Sequence, residues 1–212
     1  NAIPLWDIAG EPVYATWILV GVLGTLGITY LNYIGIRIAA QFQIIMTVII
    51  ALAGVVLIAG AVTNGQPSPD SSFGAGTAGV FTVVLMTPFM FVGFDVIPQS
   101  AEEADVPART LGLLIVFAVG LAALFYMAVI WGSSRALSGG ALVDSSLPAA
   151  AAMAELYDSP TAGQLMALAG VAGILTSWNA FIIGGSRALF ALSESGMLPE
   201  PLSKVHPEHN TP

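Results

Sequence analysis

The sequence TPFMFVGFDVIPQSAEEADVPAR, residues 87–109, decides the fold, because it begins as a strongly apolar run and then becomes unfit for a lipid-facing helix. Pro88 and Pro98 remove backbone N–H donors, and a glycine between them weakens a helix interior. Asp95 adds a carboxylate, which costs about 2.5–3.5 kcal/mol near the middle of a bilayer. Broken backbone at membrane depth persists only where protein covers it or where it lines a wet cavity. The stretch therefore predicts a broken membrane helix in which residues 89–97 line a solute site.

The composition of the 212-residue chain indicates an integral membrane protein. Hydrophobic residues make up 56% of the chain and charged residues 8%, whereas soluble domains carry about 25% charged residues. The formal net charge of −8 argues against a nucleic-acid partner. The chain has no cysteine, and neither of its two histidines lies in an apolar run. Since HExxH and GxSxG motifs are also absent, the sequence disfavours an enzyme and predicts no cofactor.

Long apolar runs predict five membrane crossings, which form a single transmembrane domain over residues 1–212. One crossing needs about 20 apolar residues. The predicted crossings occupy residues 13–31, 40–61, 80–100, 111–131 and 164–192. A polar, proline-containing lead precedes them at residues 1–12, and a polar tail follows at residues 193–212.

Three smaller patterns predict packing around these crossings. A glycine stripe in the first crossing, suited to close helix packing, consists of Gly21, Gly24 and Gly27. The alanine-rich stretch from Ala149 to Tyr157 predicts a short surface helix. Trp178 and Asn179, in the last crossing, are expected to make helix–helix contacts.

Basic residues predict the orientation of the chain in the membrane. Lys and Arg near the ends of crossings are retained on the cytoplasmic side. Four basic residues fall on one side of the predicted crossings, and only Arg135 falls on the other; the four are Arg37, Arg109, Arg187 and Lys204. We therefore expect the N-terminus outside and the C-terminal tail in the cytoplasm.

Four pieces of sequence are similar to those of a known transporter superfamily in order, spacing and topology. They are NYIGIR (32–37), VGFD with AEEADVPAR (92–95 and 101–109), FYMAVIWG (125–132) and NAFIIGGSRALFALSESGMLP (179–199). Together they resemble the amino acid–polyamine–organocation (APC) permeases, and the chain resembles helices four to eight of that superfamily. The resemblance implies an all-α integral membrane protein and part of a LeuT-type inverted-repeat fold, with five transmembrane helices, one of them broken. It also implies an internal piece of a longer protein, located in the plasma (cell inner) membrane.

The function implied by the resemblance is secondary active transport, in which an amino acid permease moves amino acids or related amines by alternating access. Its partners would be a small-molecule solute and the lipid bilayer. A polyamine or ethanolamine permease or an exchanger stays open, because a single internal carboxylate also suits a cationic amine. A structural or channel subunit is the alternative from another class, although a channel predicts a polar stripe along a whole helix.

The resemblance places the substrate at the broken helix. The candidate substrate-binding residues are Phe89, Met90, Phe91, Val92, Gly93 and Phe94. Backbone N–H and C=O groups freed by the break can hold an amino or carboxylate group, and Phe89 falls where related permeases carry an aromatic that closes over the substrate. The alternative is a proline-kinked helix packed against its neighbours. Asp95 is a candidate for gating or proton coupling, or it is the N-cap of the following half-helix.

A second candidate site, for a sodium ion, consists of Gly173, Thr176 and Ser177. Sodium-coupled members of the fold carry a small residue followed three and four positions later by Thr and Ser. This spacing puts the groups on one helix face, and hard cations prefer oxygen ligands. The alternative is two hydroxyls that bond to carbonyls of their own helix. Proton-coupled relatives carry a lysine where this chain has Ile50, so sodium coupling, exchange or protonation of Asp95 remain.

Overall fold

The computed structural model describes residues 3–8, 10–66, 76–91, 93, 96–99 and 107–205. Within these ranges the chain forms one antiparallel hairpin and eight α-helices. The strands are β1 (Pro4–Ile8) and β2 (Glu11–Tyr14), and the helices are α1 (Ala15–Ile34), α2 (Ile36–Thr63), α3 (Gly76–Met90), α4 (Val96–Gln99), α5 (Ala108–Ser134), α6 (Gly139–Asp144), α7 (Pro148–Leu156) and α8 (Pro160–Glu194). A short 3₁₀ helix, Glu200–Ser203, follows α8.

Four of these helices, namely α1, α2, α5 and α8, are long and apolar enough to cross a membrane. A helix suits this environment because all its backbone hydrogen bonds close within the segment. Helix α3 is a shorter apolar helix of 15 residues, and with α4 it occupies most of the third predicted crossing. The predicted all-α membrane class is confirmed, while the inverted-repeat arrangement stays a prediction.

The chain divides into two compact units, residues 1–43 with 178–212 and residues 44–177. The division falls inside α2 and inside α8. The first unit contains the hairpin and α1, and the second contains the broken helix. The assignment of residues 1–212 to one transmembrane domain stays a prediction.

The hairpin of the first unit occupies most of the predicted polar lead and extends to Tyr14. Its strands pair antiparallel, with Ile8 opposite Glu11, and the turn between them uses Gly10 at a φ of +88°. Prolines in a strand usually argue against a sheet, but they are tolerated on edge strands, and both strands of a two-stranded sheet are edges. The hairpin leads directly into α1, where the N–H of Ala15 donates to the carbonyl of Ile3 at 2.9 Å.

Helix–helix contacts in the first unit involve the two α8 residues named from the sequence. Asn179 is fully buried and hydrogen-bonded to other helices, and the ring of Trp178 lies over Gly24 so closely that a Cβ there would meet it at 2.8 Å. These contacts confirm the predicted role of both residues. The glycine stripe is only partly right, because a Cβ at Gly21 or Gly27 would meet nothing within 4 Å.

The second unit has a small apolar core in which α7 packs against α2. Its buried members are Leu57 and Ala61 of α2 and Ala152, Met153 and Leu156 of α7. The predicted helix in the alanine-rich stretch is therefore present, but it is not simply a surface helix. Apolar residues spaced one, three and four positions apart form a stripe on one helical face, and this stripe is what α7 buries.

Candidate solute site at a broken helix

The helical path of the chain is interrupted between Met90, where α3 ends, and Val96, where α4 begins. Pro88 lies inside the last turn of α3 and has no N–H to continue the helical hydrogen bonds. At the end of the helix, the N–H of Phe91 donates to the carbonyl of Pro88, three residues earlier, at 3.2 Å. This spacing is tighter than that of an α-helix. The interruption falls where the sequence predicts it.

Gly93 makes the turn at the break possible. Its φ is +108°, a backbone conformation that residues with a Cβ rarely adopt, although a Cβ at this position would meet no atom within 4 Å. The requirement for glycine is therefore conformational rather than steric. The carbonyl of Gly93 accepts the N–H of Val96 at 3.2 Å, which starts the next helical segment.

The side chains before the break present an apolar, accessible surface. Phe89 is 80% exposed and Met90 is 55% exposed, whereas Phe91 is half-buried. The structure describes four of the seven candidate residues, namely Phe89, Met90, Phe91 and Gly93. Val92, Phe94 and Asp95 lie outside the described residues, and the predicted roles of all seven candidates stay predictions.

Tyr126, in α5, is the residue at the break that sequence reasoning missed. Its hydroxyl donates to the carbonyl of Met90 at 3.0 Å, and its ring meets the ring of Phe91 edge to face, with the centroids 5.6 Å apart. The only sequence signal was its place in FYMAVIWG, a piece of the family resemblance. Nothing in that piece indicates which helix the tyrosine contacts.

The residues of the predicted sodium site come together on one face of α8. The hydroxyl of Thr176 donates to the carbonyl of Gly173 at 2.7 Å, and the hydroxyl of Ser177 donates to the same carbonyl at 3.2 Å. Three oxygens therefore lie close together. However, both hydrogen bonds are the ones expected if the two hydroxyls simply bond to a carbonyl of their own helix and bind no ion. The sodium site stays a prediction.

Four apolar helices of membrane length and one interrupted apolar helix define an integral membrane protein. The sequence model of the amino acid permease family matches residues 4–212, and the chain belongs to this family. Permeases are transport proteins, and the prediction that the chain is not an enzyme agrees with this membership.

Relatives with similar sequences carry several transporter names. The branched-chain amino acid permease BcaP of Bacillus subtilis is 30% identical over 88% of this chain and 40% of its own length. The chloroplastic cationic amino acid transporter 9 of Arabidopsis thaliana is 30% identical over 98% of this chain and 37% of its own length. The methylthioribose transporter of Bacillus subtilis is 27% identical over 84% of this chain and 38% of its own length. The chain thus spans about two fifths of these relatives.

Proposed function

We propose that the full-length protein is a secondary active transporter that moves amino acids or related amines across the membrane by alternating access. The observation that carries this proposal is the interruption between Met90 and Val96. Backbone polar groups released inside an apolar region need water, protein or a solute as partners. Discontinuous helices supply such groups at the solute sites of many transporters.

The proposed solute site lies at residues 89–94. The last carbonyls of a helix carry partial negative charge, so the end of α3 favours the ammonium group of an amino acid or amine. Phe89, which is 80% exposed, offers a ring that can close over the bound solute. In this proposal Asp95 senses protons or orders the gate beside the solute.

The relatives' names and the chemistry of the break support the proposed substrate class. Two of these relatives are named for branched-chain and cationic amino acids, which supports an amino acid or a related amine. A polyamine or ethanolamine permease or an exchanger is the alternative, since the carboxylate of Asp95 would suit a cationic solute. A channel or structural subunit is less well supported, because a channel predicts a polar stripe along a whole helix, whereas the polar groups in this sequence cluster at the break and at Thr176 and Ser177.

The proposal also covers the ion that drives transport and the orientation of the chain in the membrane. Either sodium or protons drive transport, with Thr176 and Ser177 as the proposed sodium ligands and Asp95 as the proposed protonation site. Helix α2 carries isoleucine at position 50 and no lysine, which disfavours a lysine-dependent proton mechanism. The protein would lie in the plasma membrane, with the N-terminus of this chain outside and its tail in the cytoplasm.

Uptake by the full-length protein in liposomes tests the proposal. Labelled leucine, arginine and putrescine are offered under an imposed sodium gradient and then under an imposed proton gradient, with protein-free liposomes as the control. We expect saturable, gradient-driven uptake of at least one amino acid. Uptake that does not saturate, or that ignores both gradients, would count against secondary active transport.

A further inference from the structure

Tyr126 links the end of α3 to α5 through two contacts. Its hydroxyl donates to the carbonyl of Met90 at 3.0 Å, and its ring meets Phe91 with an angle of 89° between the ring planes. The four-residue helix α4 also lies against α5. Both halves of the broken helix are therefore supported by the same neighbouring helix.

The hydroxyl of Tyr126 satisfies an acceptor that the helix itself leaves open. Met90 is the last residue of α3, so its carbonyl has no N–H four residues later in the helix. A carbonyl without a partner in apolar surroundings is costly. The carbonyl of Pro88 already takes the N–H of Phe91, and Tyr126 provides the donor for Met90. Together these two bonds fix the direction in which α3 ends.

The edge-to-face contact between Tyr126 and Phe91 acts on the next residue of the chain. Such ring pairs prefer a limited range of geometries, so the contact restrains the first residue of the turn while the hydrogen bond restrains the last residue of the helix. Contacts with α5 therefore determine where Met90 and Phe91 lie at the start of the break. A shift of this position would move the backbone groups that follow.

We propose that Tyr126 is a positioning residue for the solute site. It holds the end of α3 against α5, so that the backbone groups of the break keep the spacing that a solute requires. Tyr126 acts through Met90 and Phe91 and does not itself contact the solute. The inference rests on the proposed function, because it assigns a role within that site.

The structure supplies a matched control for this proposal in Tyr157. Its hydroxyl donates to a backbone carbonyl, that of Val56, at 2.8 Å, and the side chain is 37% exposed, compared with 38% for Tyr126. Tyr157 therefore has the same side chain, the same type of hydrogen bond and the same exposure, but it contacts α2 and not the break. Replacing either tyrosine with phenylalanine removes one hydroxyl and keeps the ring.

The test compares the full-length wild type, Tyr126→Phe and Tyr157→Phe in proteoliposomes, with labelled leucine and arginine as probes. We expect Tyr126→Phe to raise KM roughly three- to ten-fold, the effect of one lost hydrogen bond, and to leave the maximal rate unchanged. Tyr157→Phe should change neither quantity. Phe91→Leu, which removes the ring contact and keeps the hydroxyl, should raise KM by a smaller factor and provides a second test if Tyr126→Phe does not reconstitute.

Each outcome bears on one of the two proposals. An unchanged KM in Tyr126→Phe, or an equal rise in KM in both tyrosine variants, would overturn the positioning role. If Tyr126→Phe does not reconstitute, an unchanged KM in Phe91→Leu has the same meaning. A wild type that takes up neither probe in a saturable way would count against the proposed function, and the positioning role would fall with it.

Discussion

The side-chain amide of Asn32 donates a hydrogen bond to the side-chain carbonyl of Asn179 at 2.8 Å, which joins α1 to α8. The amide nitrogen of Asn179 donates in turn to the side-chain oxygen of Gln43 at 3.0 Å and to the carbonyl of Ala39 at 3.4 Å, both in α2. Asn179 is 0% exposed. Since buried polar groups are costly without partners, this single side chain stabilises the contact among three helices.

Replacement of Asn179 with leucine should therefore destabilise the protein. The side chains of Asn32 and Gln43 each lose their hydrogen bond to Asn179, and the loss of one hydrogen bond costs about 0.5–1.5 kcal/mol. Thr25→Val is the control, because the exposed hydroxyl of Thr25 bonds only to the carbonyl of Gly21 in its own helix. We expect a lower apparent melting temperature in detergent for Asn179→Leu than for Thr25→Val. Equal melting temperatures would contradict the structural role of Asn179.

Alanine substitutions in the glycine stripe of α1 should have unequal effects. A Cβ at Gly24 would meet the ring of Trp178 at 2.8 Å, whereas a Cβ at Gly21 would meet nothing within 4 Å. Overpacking typically costs about 1–3 kcal/mol. Thermal unfolding should therefore show that Gly24→Ala is less stable than Gly21→Ala. The reverse order would mean that Trp178 does not lie against this position.

Gly93→Ala should impair transport more than an ordinary helical glycine substitution. Alanine would have to adopt a φ of +108°, and positive φ values cost about 1–2 kcal/mol for residues with a Cβ. Gly112→Ala is the control, because this glycine lies in α5 with open space around it. Initial uptake rates, corrected for the amount of reconstituted protein, should fall for Gly93→Ala and stay near wild type for Gly112→Ala. Equal rates would argue against a glycine-dependent turn at the break.

Thr176→Ala tests the proposed sodium site through the sodium dependence of uptake. If the hydroxyl is a sodium ligand, Thr176→Ala should raise the sodium concentration for half-maximal uptake several-fold. Ser186→Ala is matched to it, because Ser186 also bonds to the carbonyl three residues earlier in α8, at 3.0 Å. Its sodium dependence should not change. An unchanged sodium dependence in Thr176→Ala would remove this residue from the coupling mechanism and leave it as a helix hydroxyl.

The sequence predicts the break well because the break depends on local backbone chemistry. Pro88 and Gly93 disfavour a continuous helix whatever surrounds them. The apolar runs predict the membrane class for a similar reason, since their length and composition are properties of each segment alone. The interruption between α3 and α4 can thus be predicted from local sequence alone, without knowledge of contacts between helices.

Contacts between distant residues could not be anticipated in the same way. Tyr126 lies 36 residues after Met90, and its role depends on which face α5 turns toward α3. The glycine stripe has the same difficulty, because three evenly spaced glycines look alike in sequence although only Gly24 meets Trp178. The buried face of α7 was missed because its partner, around Leu57, belongs to a helix almost 100 residues earlier.

Protection of an introduced cysteine by solute tests most directly whether the break holds the solute. The 212 residues contain no cysteine, so Phe89→Cys and Val80→Cys each place a single thiol in this part of the protein. Both positions are exposed and lie on α3, with Val80 near its beginning.

The full-length variants, in proteoliposomes, are labelled with a methanethiosulfonate reagent in the presence and absence of leucine or arginine. A solute bound at the break should slow the labelling of Phe89→Cys several-fold and leave that of Val80→Cys unchanged. Equal labelling of Phe89→Cys with and without a transported solute would contradict a solute site at the broken helix.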